Sequence, residues 1–264
     1  MDKRDNKDMH EISDDCDNGE NRDNNGAQEN TDEVRSRVTA EFLDVCRDAL
    51  EGILNNVRNL PVVDLQADGS APTALIIMDM VNGFAVEGPL SSELIAEVIP
   101  PIVKLQNQWI EAGMPILAFA DSHGAQSPEF DSFPIHCVTG SVESQVVDQI
   151  ADIGGYDLIE KNSTNGFHEE RFQQWLGENS QVSRFVVVGD CTDICVQQFA
   201  VSLKTWFDSK NRTSEVYVPI SAVATFECDG HDSGLTELMA IYFMVNSGVQ
   251  VVRDISMTGH AERQ

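Results

Sequence analysis

Cys195 has the most chemistry to offer. It lies in Gly189-Asp-Cys-Thr-Asp-Ile-Cys-Val196, where an apolar β-branched run gives way to a helical pattern. A cysteine in the first turn of a helix meets exposed backbone N–H groups and the positive end of the helix dipole. Both favour thiolate, so a lowered pKa is expected. The same N–H groups could receive an oxyanion. A buried, inert thiol fits the position equally well, because free cysteine is often buried. Cys191 and Cys195 form CxxxC rather than CxxC, and that spacing speaks against a redox pair. A thiolate also needs a base. Asp79, within Ile77-Met-Asp-Met-Val-Asn-Gly-Phe84, ends an apolar run where a carboxylate is costly to desolvate. Lys161 ends another run and would lower the Asp79 pKa by pairing with it. Taken singly, Asp79 reads as a cap and Lys161 as an ordinary charge. Acid, ammonium and thiol at three strand ends together argue for a site.

The elements that must position them follow from hydrophobic pattern. Strands are expected at Thr73–Met78, Pro115–Ala120, Tyr156–Glu160, Arg184–Val188, Ser214–Val218 and Val249–Val252. Helical patterns lie between them at Ser92–Ala112 (interrupted at Pro100-Pro101), Phe167–Leu176, Ile194–Phe207 and near Gly234–Asn246. Apolar strands spaced by helices indicate a mainly parallel sheet covered on both faces. In such a sheet ligands sit outside the carboxyl ends of the strands. Asp79, Asp121, Lys161 and the Gly189–Cys195 turn would all reach that edge. No GxGxxG or Walker loop is present to cradle a nucleotide phosphate.

Upstream, apolar residues at Val34, Val38, Phe42, Val45, Ala49, Ile53 and Val57 step by three and four, so residues 33–60 are expected to be an amphipathic helix. Its role is either to cap the domain or to build a homo-oligomer. Asn59, Pro61 and Ala67–Pro72 then read as a break and connector. Residues 1–36 hold 12 Asp+Glu against 5 Lys+Arg, with few large apolar side chains. Residues 1–32 are therefore expected to be a disordered acidic tail. The whole chain of 264 residues has a net charge of −27. A surface that negative disfavours nucleic acid and anionic headgroups, so neither is expected as a partner. No apolar run is long enough to span a membrane, and the polar N-terminus resembles no signal peptide. Six cysteines are too few for a disulfide scaffold, which favours a reducing, cytoplasmic compartment.

Leu75-Ile-Ile-Met-Asp79 with Asn82 and Phe84, then Lys161, then Gly189-Asp-Cys-Thr-Asp-Ile-Cys195-Val together resemble the isochorismatase-like cysteine hydrolases. The resemblance covers roughly residues 73–252, within a domain expected over 70–256, and is most specific in Thr-Asp-x-Cys-Val. It implies a three-layer α/β/α fold and an Asp–Lys–Cys triad, by motif position Asp79, Lys161 and Cys195. It also implies a cis peptide between Asp190 and Cys191, with the N–H groups of Cys191 and Cys195 receiving the oxyanion. Ala120-Asp-Ser-His-Gly-Ala-Gln-Ser-Pro-Glu-Phe-Asp-Ser-Phe-Pro-Ile-His-Cys-Val-Thr-Gly140 resembles the metal loop of the nicotinamidases in that family. Asp121, His123 and His136 match three ligand positions, and Glu129 stands where a fourth ligand is expected. Such donors suit Zn²⁺, Mn²⁺ or Fe²⁺ without separating them. Phe84 and Phe133 match positions that pack against a substrate ring, though either is also an ordinary core residue. The expected activity is hydrolysis of a small amide, nicotinamide first. Other family chemistry on a carbamoyl, ureido or vinyl-ether group is the alternative, and a non-catalytic interaction domain the alternative outside enzymes. Asp190 departs from the pattern, because relatives carry an apolar residue there. His168 and His231 have no assigned role, and Cys228 reads as packed.

Overall fold

The computed structural model describes residues 40–66 and 72–258. The expected acidic tail and residues 33–39 of the expected helix lie outside the described residues. The chain divides into two units, Met1–Leu50 and Glu51–Gln264. Helix α1 (Ala40–Arg58) begins in the first and ends in the second. Within the second unit, Val57 at its end and Leu60 beyond it pack against the core.

The strands are β1 (Val62–Gln66), β2 (Thr73–Met78), β3 (Ile116–Asp121), β4 (Asp157–Lys161), β5 (Arg184–Asp190), β6 (Glu215–Pro219), β7 (Val223–Ala224), β8 (Gln250–Val252) and β9 (Asp254–Thr258). Seven of them form one sheet in the order β4-β3-β2-β5-β6-β8, with β7 beside β5. Every pairing in it is parallel. The central strands are apolar throughout because both faces are covered. Side chains alternate across the sheet. Leu75 and Ile77 of β2 enter one core layer, and Ala74, Ile76 and Met78 the other. The first layer is closed by Ile102, Leu105 and Trp109 of α2 (Ile99–Ala112). Trp109 also donates its Nε1–H to the Thr73 carbonyl at 3.0 Å. The second is closed by Phe172 and Leu176 of α3 (Glu170–Glu178), by Phe199, Leu203 and Phe207 of α4 (Gln197–Ser209), and by Met244 of α5 (Ser233–Asn246). This is the expected three-layer α/β/α arrangement.

Two local expectations change. The helical pattern over Ser92–Ala112, expected to break at Pro100-Pro101, is a short turn, Glu93–Ala96, followed by α2, so the break falls just before the prolines. Pro100 and Pro101 open α2, where a missing N–H leaves no hydrogen bond unmade. The connector after Pro61 contains a strand. β1 pairs in parallel with β9, from Val62↔Asp254 to Gln66↔Thr258. Its partner lies at the far end of the chain, so nothing local announces the pairing. Leu65, Ile255 and Met257 join the first core layer through it.

Four neighbouring strands deliver polar groups to one edge. Asp79 follows β2, Asp121 ends β3, Lys161 ends β4 and Asp190 ends β5. Asp121 and Lys161 stand directly opposite each other in the ladder. Gly189, one residue before Asp190, has φ 111°, and a Cβ there would fall 1.9 Å from the Met78 carbonyl oxygen. Only glycine lets β5 pass β2 so closely at the site.

Candidate active site

Asp79 leaves β2 with φ 53°, a left-handed conformation that Asp tolerates better than most residues. Its N–H donates to the Phe119 carbonyl at 3.0 Å, which fixes the turn. Cys195 lies in Thr192–Val196, a widened π-type turn that runs into α4. Lys161 Nζ stands 2.9 Å from Asp79 Oδ2 and 3.7 Å from Cys195 Sγ. It also donates to Asp121 Oδ1 and to the Ser163 carbonyl, the latter at 3.1 Å. The Asp79–Lys161 contact is an ion pair without hydrogen-bond alignment, since neither Asp79 oxygen has an aligned donor. All four side chains are buried.

Burial governs the charges. It pushes the Asp79 carboxyl up to about 7, against the pull of Lys161 and with the help of Asp121. Asp121 has the opposite outcome. Burial would raise it, but Lys161, His123 and His136 hold it well below the usual carboxylate range. Lys161 stays an ammonium, because Asp121 and Asp79 outweigh the burial that would discharge it. The Cys195 thiol is pushed up by burial, and Lys161 opposes that only in part. The lowered pKa expected from the helix dipole is therefore not found. A thiol enclosed between carboxylates keeps its proton until a base removes it.

The Asp190–Cys191 peptide is cis, as the resemblance implies. The Cys191 carbonyl accepts from the N–H of Ile194 and of Val196, both at 3.1 Å, and passes over the N–H of Cys195 between them. Asp190 is fully enclosed, and burial followed by Asp79 pushes its carboxyl far up. Its Oδ1 receives the Cys191 S–H at 3.7 Å.

The second cluster hangs from β3. His123 and Val138 pair as a bridge, with His123 N–H to Cys137 O and Thr139 N–H to His123 O both at 2.9 Å. This closes the loop and brings His123 beside His136. Asp121 Oδ2 lies 3.4 Å from His123 Nε2 and 3.6 Å from His136 Nε2, and Glu129 Oε1 lies 3.8 Å from His123 Nε2. One donor atom from each of the four falls within 4.8 Å of the others. The outer contacts orient both rings. His123 Nδ1–H donates to Asn162 Oδ1 at 3.1 Å and His136 Nδ1–H to Pro134 O at 2.8 Å. Each ring thereby turns the Nε2 lone pair inward, the arrangement that a metal-binding histidine needs. His123 Nε2 is buried with no hydrogen-bond partner. The residues fit a divalent cation.

A narrow cavity of about 30 Å³ joins the two clusters. Asp121, Glu129, His136, Cys191 and Cys195 line it together with Phe84, Phe133, Leu90, Thr164, Ile194 and Phe226. Phe84 and Phe133 both lie against His136, with ring centroids at 5.6 and 6.2 Å. Every residue singled out for chemistry from the sequence thus falls at this cavity or directly behind it. The sequence reading missed Asn162, which orients His123, and Phe226. It gave His231 no role, although His231 contacts Asp193 in the turn that carries Cys195. Cys228, expected to be packed, is exposed. All five cysteines among the described residues are free thiols.

A family model for the isochorismatase domain matches residues 73–251. Nicotinamidase 1 of Arabidopsis thaliana is 30% identical, over 69% of this chain and 86% of that protein. The N-carbamoylsarcosine amidase of Thermoplasma acidophilum superposes with a TM-score of 0.57 at 27% identity, covering 69% of this chain and 96% of that one. The zinc complex of the Pyrococcus horikoshii pyrazinamidase gives 0.57 at 25% identity, covering 69% and 99%.

Proposed function

Since this chain belongs to the isochorismatase family of hydrolases, we propose that it is a cysteine-dependent amidohydrolase that converts nicotinamide and water to nicotinate and ammonia. The observation that carries the reading is the placement of Lys161 Nζ within 2.9 Å of Asp79 and 3.7 Å of Cys195, beside a four-donor metal cluster in the same cavity. The likeness to a nicotinamidase and to a zinc-bound pyrazinamidase supports it.

In this mechanism Asp79 takes the Cys195 thiol proton. A carboxyl near pH 7 is matched to that task, because the base is unprotonated when the enzyme works and still holds a proton in transit. The thiolate attacks the carboxamide carbon. Backbone N–H groups of Cys191 and Cys195 stabilise the oxyanion, each worth roughly 3–4 kcal/mol in comparable sites. Asp79 returns the proton to the departing ammonia, and water cleaves the thioester. Lys161 holds Asp79 and offsets charge in a site with little water. Asp121, His123, Glu129 and His136 would hold a Zn²⁺, Mn²⁺ or Fe²⁺ ion. Such an ion, when bound, supplies an acceptor for the lone pair of a pyridine nitrogen. Phe84 and Phe133 flank the ring.

A second reading is hydrolysis of a carbamoyl amide by the same triad, which the likeness to the N-carbamoylsarcosine amidase favours. One panel separates the two: ammonia release from nicotinamide, pyrazinamide and N-carbamoylsarcosine, with and without chelator. The proposal expects turnover of the ring amides, its reduction by chelator, and its loss in Cys195→Ala. Release confined to the carbamoyl substrate would overturn it in favour of the second reading.

A further inference from the structure

The turn between β7 and α5 supplies none of the groups in the proposed chemistry, yet it is bonded to the nucleophile's own turn. Asp193, two residues before Cys195, accepts from Thr225 Oγ1 at 2.6 Å and from His231 Nε2 at 2.8 Å, one bond on each carboxylate oxygen. The other imidazole nitrogen, Nδ1, faces the Phe226 carbonyl at 3.0 Å. Two acceptors require a proton on each nitrogen, so His231 is a cation. Partial burial opposes that charge, and Asp193 outweighs it. Phe226 lies flat on the imidazolium, with ring centroids 4.1 Å apart and planes 11° apart. A cation under an aromatic face is attractive. Cys228 and His231 exchange backbone hydrogen bonds at 3.2 and 3.0 Å, and the Ser233 N–H donates to Glu227 Oε2 at 2.7 Å. The hairpin therefore holds its own shape, and Phe226 reaches the cavity beside Ile194, Cys191 and Cys195.

We infer that Phe226 is an aromatic wall of the substrate pocket and that His231 and Asp193 are positioning residues that set its distance from the attacking sulfur. The inference rests on the hydrolase reading above and assigns residues it does not use. Asp193 makes the link because it shares a single turn with Cys195, so the wall and the nucleophile are indexed to the same backbone. A planar aromatic amide is the ligand class that such a wall selects, because an aliphatic amide gains little from an aromatic face.

The test uses the full-length protein and the variants Phe226→Ala, Phe226→Tyr, His231→Gln and the double variant Phe226→Ala/His231→Gln. Two quantities are read: nicotinamide kinetics, and the ratio of Cys195 alkylation rates for N-phenyl iodoacetamide over iodoacetamide. Phe226→Ala and His231→Gln should each raise KM about tenfold while kcat falls by less than about threefold. Each should lower the alkylation ratio by a similar factor, and Phe226→Tyr should retain wild-type values. The double variant should be no worse than Phe226→Ala alone, since both losses run through one ring. Wild-type KM and ratio in His231→Gln, or losses that multiply in the double variant, would overturn the inference. Should His231→Gln fail to fold, Phe226→Ala decides, because an unchanged ratio in it also overturns the wall. If wild-type protein releases no ammonia from nicotinamide, the functional reading fails, and the alkylation ratio still decides this one.

Discussion

At Asp79 burial and charge pull in opposite directions, and the balance leaves the carboxyl near 7. The sign of the pH effect follows. Below that value the carboxyl is protonated and accepts nothing from Cys195, so kcat/KM should fall about tenfold per pH unit on the acid side of a limb near 7. A pH–rate profile checks this, and an acid limb near 4 would mean that burial does not raise the Asp79 carboxyl. Lys161 sits between two carboxylates with no solvent beside it. Lys161→Met leaves Asp79 and Asp121 facing each other uncompensated, and a loss of about 3–5 kcal/mol is expected by urea unfolding, together with loss of turnover. These two residues and Cys195 were legible in the sequence because each interrupts or ends an apolar run. The Cys195 pKa was not. Its sign depends on how deeply the turn is enclosed, and burial overrides the helix dipole. The Asp193–His231 contact was equally hidden, since it spans 38 residues and follows no motif.

At the scale of elements, the parallel order put four polar groups on one edge, and that edge was readable once the strands were. The alternation of β2, β3 and β5 between two layers explains why their sequences looked uniformly apolar. Gly189 marks where the edge is tightest. Its alanine variant would place a methyl carbon 1.9 Å from the Met78 carbonyl oxygen. The backbone must then shift, so loss of several kcal/mol and of activity is expected in denaturant titrations and assays. The β1–β9 pair was unreadable for the opposite reason. Val62-Val-Asp-Leu-Gln66 is short and mixed in polarity, and its partner begins at Asp254. Ile255 is nonetheless part of the core. Ile255→Ala should cost about 2–4 kcal/mol. A Tm unchanged by that substitution would show the pair to be ornamental.

For the molecule as a whole, charge is the dominant feature. Of the net −27, −7 belongs to residues 1–36, and the other −20 to the remainder (27 − 7). Like charges repel in the folded state, and salt shortens their reach from about 30 Å at 0.01 M to about 8 Å at 0.15 M. The Tm should therefore rise with sodium chloride over that range, whereas a flat response would place the charges too far apart to matter. Among the described residues no helix is long and apolar enough to cross a membrane. The clasp of β1 and β9 carries one more consequence, for anyone who would join the chain into a ring. The two strands run side by side in the same sense, so Val62 neighbours Asp254 while Thr258 lies at the opposite end, beside Gln66. A bridge from Thr258 back to Val62 must travel the full height of the ladder, about 13 Å over four steps of roughly 3.3 Å each. Cyclised backbones with a shorter bridge would have to tear the ladder open, and longer ones would close with it intact.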